Sequence, residues 1–214
     1  LEIGGSHAHR LRPLIEKLGL LTLVVTDLDA SLGVSSAQPA RGAGQVTGNA
    51  TLKTWLPQRA QVDELLDLED TKKVAIHDPI FAVRAAYQYP VNVDIGGKSV
   101  EVIPSTFEDA LAFANLATFG ALEGTTGLME KFRQAIADHK TGPALSKALY
   151  DHLHSSSAKK AEFALDLLAL EDPERLEIPI YLSEGLSWLQ DQLRGKHVEL
   201  LPIVEDGDAA GAAA

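Results

Sequence analysis

Two aspartates one residue apart, Asp27 and Asp29, directly follow the apolar run Leu20 to Thr26, which predicts a strand buried on both faces of a parallel sheet. Hard divalent cations prefer oxygen ligands, and Mg²⁺ typically takes one or two carboxylates together with water and phosphate oxygens. A turn that begins where the strand ends would bring both carboxylates to one cation. The alternative interpretation is that both aspartates are ordinary turn residues.

Glu108 is a third candidate, and the sequence gives it two roles that can exclude one another. The segment Ser105-Thr106-Phe107-Glu108 has the spacing of a capping box, in which Ser105 caps a helix and Glu108 binds back to its amide. A glutamate in the first helical turn after a strand is also where an α/β protein recruits a carboxylate to a site.

Lys160 stands with Lys159 at the start of a predicted helix, Ala158 to Leu170, whose apolar residues form a packed stripe. The simplest interpretation of such a pair is a solvated polar face.

Several classes of chemistry are excluded by what the sequence lacks. The 214 residues include no Cys, which rules out disulfides, thiolate zinc sites and cysteine nucleophiles. There is no Gly-x-x-x-x-Gly-Lys phosphate loop, so ATP cannot bind in that way, and no Gly-x-Ser-x-Gly elbow. His7 and His9 have no third residue at a spacing that would complete a zinc site.

Charge and hydropathy limit the partners. The chain has 19 Lys and Arg against 30 Asp and Glu, a net charge of −11, which argues at first against a nucleic-acid partner. A metal-dependent nuclease can still be acidic, because it concentrates carboxylates where its cations bind. The apolar run near Leu18 to Val25 is far shorter than the ~20 residues of a membrane span, and no signal peptide is visible. We therefore expect a soluble, cytoplasmic chain with no membrane partner.

The elements that must position these residues predict an α/β fold. Strand, helix and strand follow one another at the start of the chain, an arrangement that places ligands at the carboxyl ends of the strands. The predicted elements up to residue 103 are a strand Leu1 to Ile3, a helix Leu11 to Leu18 ending at Gly19, the strand Leu20 to Thr26, a polar loop Ala30 to Gln58, helices Gln61 to Leu68 and Ile80 to Tyr87, and a hairpin with strands near Val91 to Asp94 and Lys98 to Ile103.

Helices without intervening strands are predicted between Leu128 and Leu170, which suggests a helical insertion or flank beside the α/β core. Three further elements are predicted after it: a strand Ile178 to Leu182, a helix Ser183 to Leu193 and a strand Val198 to Ile203. The expected organisation is an α/β core over residues 1–127 and 171–204, a helical insertion over 128–170 and a disordered tail over 205–214.

Four short segments occur in an order that is informative: Gly4-Gly5 after a strand, Leu23 to Asp29, Thr106-Phe107-Glu108, and Lys160 to Ala164. Together they resemble the Toprim domain of the overcoming-lysogenization-defect (OLD) family of nucleases. The similarity extends from Leu1 to about Leu201.

The resemblance implies a Toprim-like, mainly parallel sheet flanked by helices, and cleavage or nicking of DNA at a centre of two Mg²⁺ or Mn²⁺ ions. Asp27, Asp29 and Glu108 would bind the cations, and Lys160 would place a positive charge near the scissile phosphate. Two cations about 4 Å apart would activate water and stabilise the leaving oxygen, which requires several converging carboxylates. The same analogy implies an upstream ATPase domain and a homodimer.

One feature departs from the family pattern. A Toprim domain normally opens with a strand bearing Val-Glu-Gly, whereas Glu2 precedes a Gly-Gly turn and lies close to Asp27 in sequence. We interpret the first strand here as a later one, so the main glutamate would lie upstream. Two alternatives therefore remain: a non-catalytic Toprim-like module for DNA binding or dimerisation, and a phosphatase with Asp27 as covalent nucleophile.

Overall fold

The computed structural model describes residues 4–78, 81–155 and 158–200, without the side chains of residues 77, 78 and 196–200. The strands described there are β1 Thr22–Val25, β2 Ala30–Leu32, β3 Ser35–Ser36, β4 Val46–Thr47, β5 Val74–Asp78, β6 Phe81–Ala86, β7 Val91–Asp94 and β8 Ser99–Val102. The α-helices are α1 Arg12–Leu18, α2 Ala50–Thr54, α3 Val62–Leu66, α4 Phe107–Ala114, α5 Leu116–Ala121, α6 Gly127–Asp138, α7 Gly142–Leu153, α8 Lys160–Leu168 and α9 Ile180–Leu200.

The first helical segment begins as a 3-10 helix, Gly5–Leu11, and continues as α1. Pro13 stands in the first turn of α1, where it removes no intrahelical hydrogen bond. Gly19 ends the helix in the left-handed conformation, with φ of 60°, which glycine adopts without a steric cost. The predicted helix and its stop at Gly19 are confirmed, while the predicted strand over residues 1–3 lies outside the described residues.

The principal sheet has the order β1-β6-β5. Strands β1 and β6 are parallel, with Thr22 opposite Val83, whereas β5 and β6 are antiparallel. The expectation of a mainly parallel sheet is therefore wrong for the described residues, which form small mixed sheets in an α/β fold.

Strand β6 corrects the predicted helix Ile80 to Tyr87. All six of its residues are buried, so the sequence shows no alternation of apolar and polar positions. A short apolar run of this kind does not distinguish a buried strand from a buried helix. Its one charged residue, Arg84, donates to Asp70 Oδ2 at 2.9 Å.

Strand β1 is less buried than its sequence predicts. Val24 is buried but Val25 is exposed, so the strand is not covered on both faces. Helix α9 packs against β1 and β6 at Gly185, where an added Cβ would lie 3.0 Å from Leu23 Cδ1 and 3.2 Å from Ala86 Cβ. The absent side chain at this position is what allows the close approach.

The last predicted strands are wrong where the structure describes them, because Ile180–Leu200 is one helix. It contains the predicted helix Ser183 to Leu193, which is confirmed. The β-branched residues of Ile178 to Leu182 favour a strand, but Tyr181 is buried against neighbouring alanines. Residues 201–203 and the predicted tail, 205–214, lie outside the described residues.

The predicted loop Ala30 to Gln58 contains regular structure. Strand β2 pairs antiparallel with both β3 and β4, and helix α2 follows. Strands of two or three residues carry too little periodicity to be recognised in a sequence. The predicted helix Gln61 to Leu68 is confirmed in shorter form as α3, and the hairpin is confirmed as β7 and β8.

The described residues form two main apolar cores. One lies between the principal sheet and helices α2 and α3. The other joins the hairpin to α4 through α8, and contains Phe119, Phe132 and Phe163 with ring centroids 5.6 to 6.4 Å apart. The predicted helices between 128 and 170 are thus present as α6, α7 and α8, and they flank the hairpin. Within the described residues, no helix has the combination of length and apolarity that would let it cross a bilayer.

Candidate functional site

Asp27 and Asp29 follow the parallel pairing of β1 with β6. The last contact of that pairing is the Thr26 amide, which donates to the Ala86 carbonyl at 3.0 Å. The chain then leaves the sheet, and Asp29 adopts a φ of 49°, in the left-handed region that few non-glycine residues occupy. Both carboxylates therefore lie at the carboxyl end of a parallel strand, where the sequence predicts them.

Gln88, just beyond β6, holds this acidic turn. The side chain is fully buried, and its Oε1 accepts from the Leu28 amide at 2.9 Å. Its Nε2 donates to Asp27 Oδ1 at 2.6 Å and to the Tyr181 hydroxyl oxygen at 3.3 Å. One side chain thus fixes both the backbone of the turn and the orientation of the first carboxylate.

Asn49 supports the turn from the other side. Its Nδ2 donates to Thr26 Oγ1 at 2.6 Å and to the Asp27 carbonyl at 2.8 Å, while its Oδ1 caps α2. The Thr47 hydroxyl donates to the Leu28 carbonyl at 2.6 Å. The polar backbone atoms of the turn are satisfied by buried neighbours, which leaves the position of the carboxylates well determined.

Burial raises the pKa of Asp27 to about 6, because the charged form is poorly solvated. The hydrogen bond from Gln88 and the charge of Lys160 act in the opposite direction, and the charges of Glu108 and Asp29 raise the pKa further. Burial also raises the pKa of Asp29, against the charges of Lys160 and His154.

The helix cap at α4 is shifted by one residue from the prediction. Thr106 is the N-cap, and Asp109 completes the capping box by accepting from the Thr106 amide at 2.8 Å. The buried Asp109 also accepts from the amide and hydroxyl of Ser105. The capping role predicted for Ser105 and Glu108 is therefore wrong, because Thr106 and Asp109 have the same spacing and occupy the cap.

Glu108 instead pairs with Lys160. The Thr106 hydroxyl donates to Glu108 Oε2 at 2.6 Å, and Lys160 Nζ donates to the same oxygen at 3.0 Å. The side chain of Glu108 is 11% exposed and that of Lys160 is 46% exposed. This ion pair joins residues that are 52 positions apart in the sequence.

The four predicted site residues are linked by charge interactions in the structure. Asp29, Glu108 and Lys160 all act on the pKa of Asp27, and Lys160 acts on Asp29 as well. The prediction that acidic side chains from distant segments meet at one end of the sheet is consistent with this placement. Their chemical roles stay predictions.

Two polar clefts meet at Asp29. A cleft of about 330 Å³ is lined by Asp27 and Asp29 together with Phe107 and Tyr181. A second cleft, of about 360 Å³, runs from Asp29 to the end of α7 at His154. Asp29 therefore stands between two spaces that could hold different parts of a ligand.

The donor atoms at the site suit a hard divalent cation in kind, since they are carboxylate oxygens. Asp27 and Asp29 could supply two ligands, with water and substrate oxygens in the remaining positions. Over the ranges that the structure describes, however, no three His, Asp or Glu side chains are grouped so as to hold one metal ion. The carboxylate of Glu108 is engaged by Lys160.

Sequence reasoning missed the residues that support the site: Gln88, Asn49 and Tyr181. A signal existed for Asn49, because asparagine is a preferred residue at a helix N-cap. Gln88 would have been found if β6 had been recognised as a strand, since it lies just past its carboxyl end. No sequence signal distinguished Tyr181.

The fold and site together define an α/β protein with an acidic centre at the carboxyl end of a parallel strand. The chain is similar to a curated protein, Endonuclease GajA of Bacillus cereus (strain HuB5-5), with 25% identity over 206 residues. The aligned region is 91% of this chain and 27% of that endonuclease, so the chain spans about a quarter of its relative. No family model matches the chain, and no solved structure matches it.

Proposed function

We propose that this chain is the nuclease part of a divalent-cation-dependent endonuclease that cleaves or nicks the phosphodiester backbone of DNA. The observation that carries the proposal is the meeting of Asp27 and Asp29 with the Glu108–Lys160 pair beside the end of β1. The distant similarity to an endonuclease over most of the chain supports it.

Asp27, Asp29 and Glu108 are the residues that would hold Mg²⁺ or Mn²⁺. The chemistry supplied by two bound cations would be activation of water and stabilisation of the leaving oxygen. The contribution of the chain is to hold the carboxylates in place. Gln88 orients Asp27, and the bonds from Asn49 and Thr47 fix the turn that carries both aspartates.

Lys160 is proposed to contact the scissile phosphate. Its ammonium group has three N–H donors, of which one is directed to Glu108, and its side chain is half exposed. A phosphate oxygen can therefore accept from Lys160 while the ion pair stays in place. A fixed positive charge at that point would stabilise the charge that develops on the phosphate during cleavage.

The same proposal includes a Toprim-like organisation of the core, an upstream ATPase domain in the full-length protein and a homodimer. The relative is much longer than the region that matches this chain. A larger protein is therefore consistent with the similarity.

A second candidate is a non-catalytic module for DNA binding or dimerisation. The observation that favours it is the lack, among the described residues, of three side chains grouped for one metal ion. The phosphatase alternative has less support, because the protein that the chain is similar to over most of its length is an endonuclease.

Nicking of supercoiled plasmid DNA tests the leading proposal. We expect nicking in Mg²⁺ or Mn²⁺, none in EDTA, and a loss on the order of 100-fold in Asp27→Asn or Asp29→Asn, because each change removes a negatively charged ligand. Asp191→Asn is the matched control, since Asp191 is 72% exposed on α9 and forms only a 4.0 Å contact with Arg194.

Three outcomes contradict the nuclease proposal: nicking that persists in EDTA, nicking that survives both substitutions, or no nicking with any divalent cation. DNA binding without nicking would favour the non-catalytic module. Hydrolysis of a small phosphomonoester that depends on Asp27 would favour the phosphatase.

A further inference from the structure

The second cleft at Asp29 has a composition unlike that of a phosphate site. Hydroxyl-bearing side chains such as Ser6 and Thr106 line it, together with the rings of Tyr150 and His154. Among its described lining residues there is no Lys or Arg, and the single carboxylate is Asp29. A phosphate group would find no strong positive partner there.

Tyr150 and His154 form an ordered aromatic wall. Their rings are stacked, with centroids 3.9 Å apart and planes 23° apart. His154 Nδ1 lies 3.0 Å from the Tyr150 carbonyl oxygen, which fixes the orientation of the imidazole. His154 is exposed, so a flat group that enters the cleft can stack on it.

The cleft, with a volume of about 360 Å³, has space for such a group. Small residues line it, among them Gly33, Ala37 and Gly48. The ligand that suits a cleft without Lys or Arg, lined by aromatic rings and several hydroxyls, is planar, aromatic and able to form hydrogen bonds. A nucleobase has these properties.

We propose that this cleft receives the base of an unpaired nucleotide next to the phosphodiester bond that is cut. This inference rests on the proposed nuclease function and adds a substrate class: single-stranded DNA, or DNA with an unpaired nucleotide at the cleavage point. A base inside a duplex is stacked on both faces and cannot enter a cleft, whereas an unpaired base can stack on an aromatic side chain.

Binding without cleavage tests the proposal independently of catalysis. Fluorescence anisotropy in EDTA would compare a labelled single-stranded oligonucleotide with its duplex. We expect tighter binding of the single strand, a loss of about tenfold in His154→Ala, and near wild-type binding in His154→Phe, which keeps an aromatic face. His152→Ala is the matched control, because His152 is on the same helix end but does not line the cleft.

A second readout follows the base itself. The emission of 2-aminopurine falls when the base stacks, so binding should quench an oligonucleotide that contains it, and His154→Ala should reverse the quenching. Circular dichroism would verify that each variant is folded. Equal binding of single strand and duplex, unchanged binding in His154→Ala, or equal losses in the Ala and Phe variants would overturn the proposal.

The two proposals fail in distinguishable ways. A protein that nicks DNA but shows no effect at His154 would retain the nuclease function and lose the base-binding cleft. A protein that binds single strands through His154 but never nicks would retain the cleft and lose the nuclease function.

Discussion

At the scale of single residues, the most informative group is the Asp27 carboxyl. Its pKa is raised from 3.8 to about 6 by burial, so the folded state binds a proton more tightly than the unfolded state does. This contribution to stability is complete below about pH 3.8 and is lost as the pH rises through about 6. Above pH 6 the charged carboxylate opposes folding unless a cation offsets it.

Asp27→Asn should therefore stabilise the fold at pH 8 in EDTA by about 2 kcal/mol, because it removes the buried charge and keeps the oxygen that accepts from Gln88. The gain should shrink steadily as the pH falls toward 4. Urea denaturation at a series of pH values measures it, with Asp191→Asn as the control. A gain that does not vary with pH would show that the charge of Asp27 is not its cause.

Local sequence was sufficient to predict that two aspartates follow a strand, while their chemical roles stay predictions. Asp27 and Asp29 were identified because a strongly apolar run ends directly before them. Glu108 was given the wrong cap partner, because two overlapping segments satisfy the same spacing rule. Gln88 was missed because its importance comes from the neighbouring strand, which only the tertiary fold places beside Asp27.

At the scale of elements, the ion pair of Glu108 and Lys160 connects the first turn of α4 to the first turn of α8. Glu108 is mostly buried, so removal of Lys160 leaves a poorly solvated carboxylate without its cation. The partial exposure of Lys160 reduces the expected effect.

A double-mutant cycle between Lys160→Ala and Glu108→Gln should give a coupling free energy of about 1 kcal/mol by urea denaturation. The adjacent pair Lys159 and Glu162 is the control, because its side chains are 72% and 45% exposed and should couple by less than about 0.5 kcal/mol. Equal coupling free energies in both cycles would mean that the Lys160–Glu108 pair stabilises the fold no more than an exposed ion pair does.

Helix α9 provides a test with two glycines in one element. Gly185→Ala adds a Cβ only 3.0 Å from Leu23 Cδ1, and should destabilise the protein by about 1–2 kcal/mol despite the higher helix propensity of alanine. Gly195→Ala meets no atom within 4 Å and should stabilise it by up to about 1 kcal/mol.

Thermal or urea denaturation of both variants shows directly whether each substitution raises or lowers the stability of the fold. A gain in stability in Gly185→Ala would show that α9 does not pack closely on β1 and β6. A loss in Gly195→Ala would show that this part of the helix is not solvent-facing.

Elements were predictable where periodicity was long. The hairpin and the helices between 128 and 170 follow from sustained patterns that the structure confirms. Strand β6 was not predictable, because burial on all sides removes the alternation that would identify a strand. The start of α9 was not predictable either, because tertiary packing overrides the preference of its β-branched residues for a strand.

At the scale of the whole molecule, the net charge of −11 and the acidic site act together. A divalent cation at Asp27 and Asp29 would relieve repulsion between these carboxylates and bind the folded state in preference to the unfolded one. Because Asp27 must lose its proton to bind a cation, the effect should increase through about pH 6.

Addition of about 10 mM MgCl₂ should therefore raise the Tm by roughly 2–4 °C at pH 8 and by less at pH 5. NaCl at equal ionic strength controls for general screening, and Asp27→Asn should remove most of the difference. Equal shifts with the two salts would contradict specific cation binding at the site.

The sequence was sufficient to predict the fold class but not the order of the strands. The α/β class could be predicted, because strand and helix patterns alternate in the first part of the chain. The mixed strand order could not, since it depends on how β5 and β6 pair, and β6 was not recognised.

The side chain of Asn49 serves two parts of the molecule at once. Its oxygen starts helix α2, and its nitrogen holds the backbone of Asp27. Local opening of α2 would consequently remove one support of the carboxylate-bearing turn, which Gln88 and Thr47 also hold. An insertion or cut that loosens residues 30–58 should reach the acidic centre through the Asn49 amide and the Thr47 hydroxyl, even though none of the carboxylates has been changed.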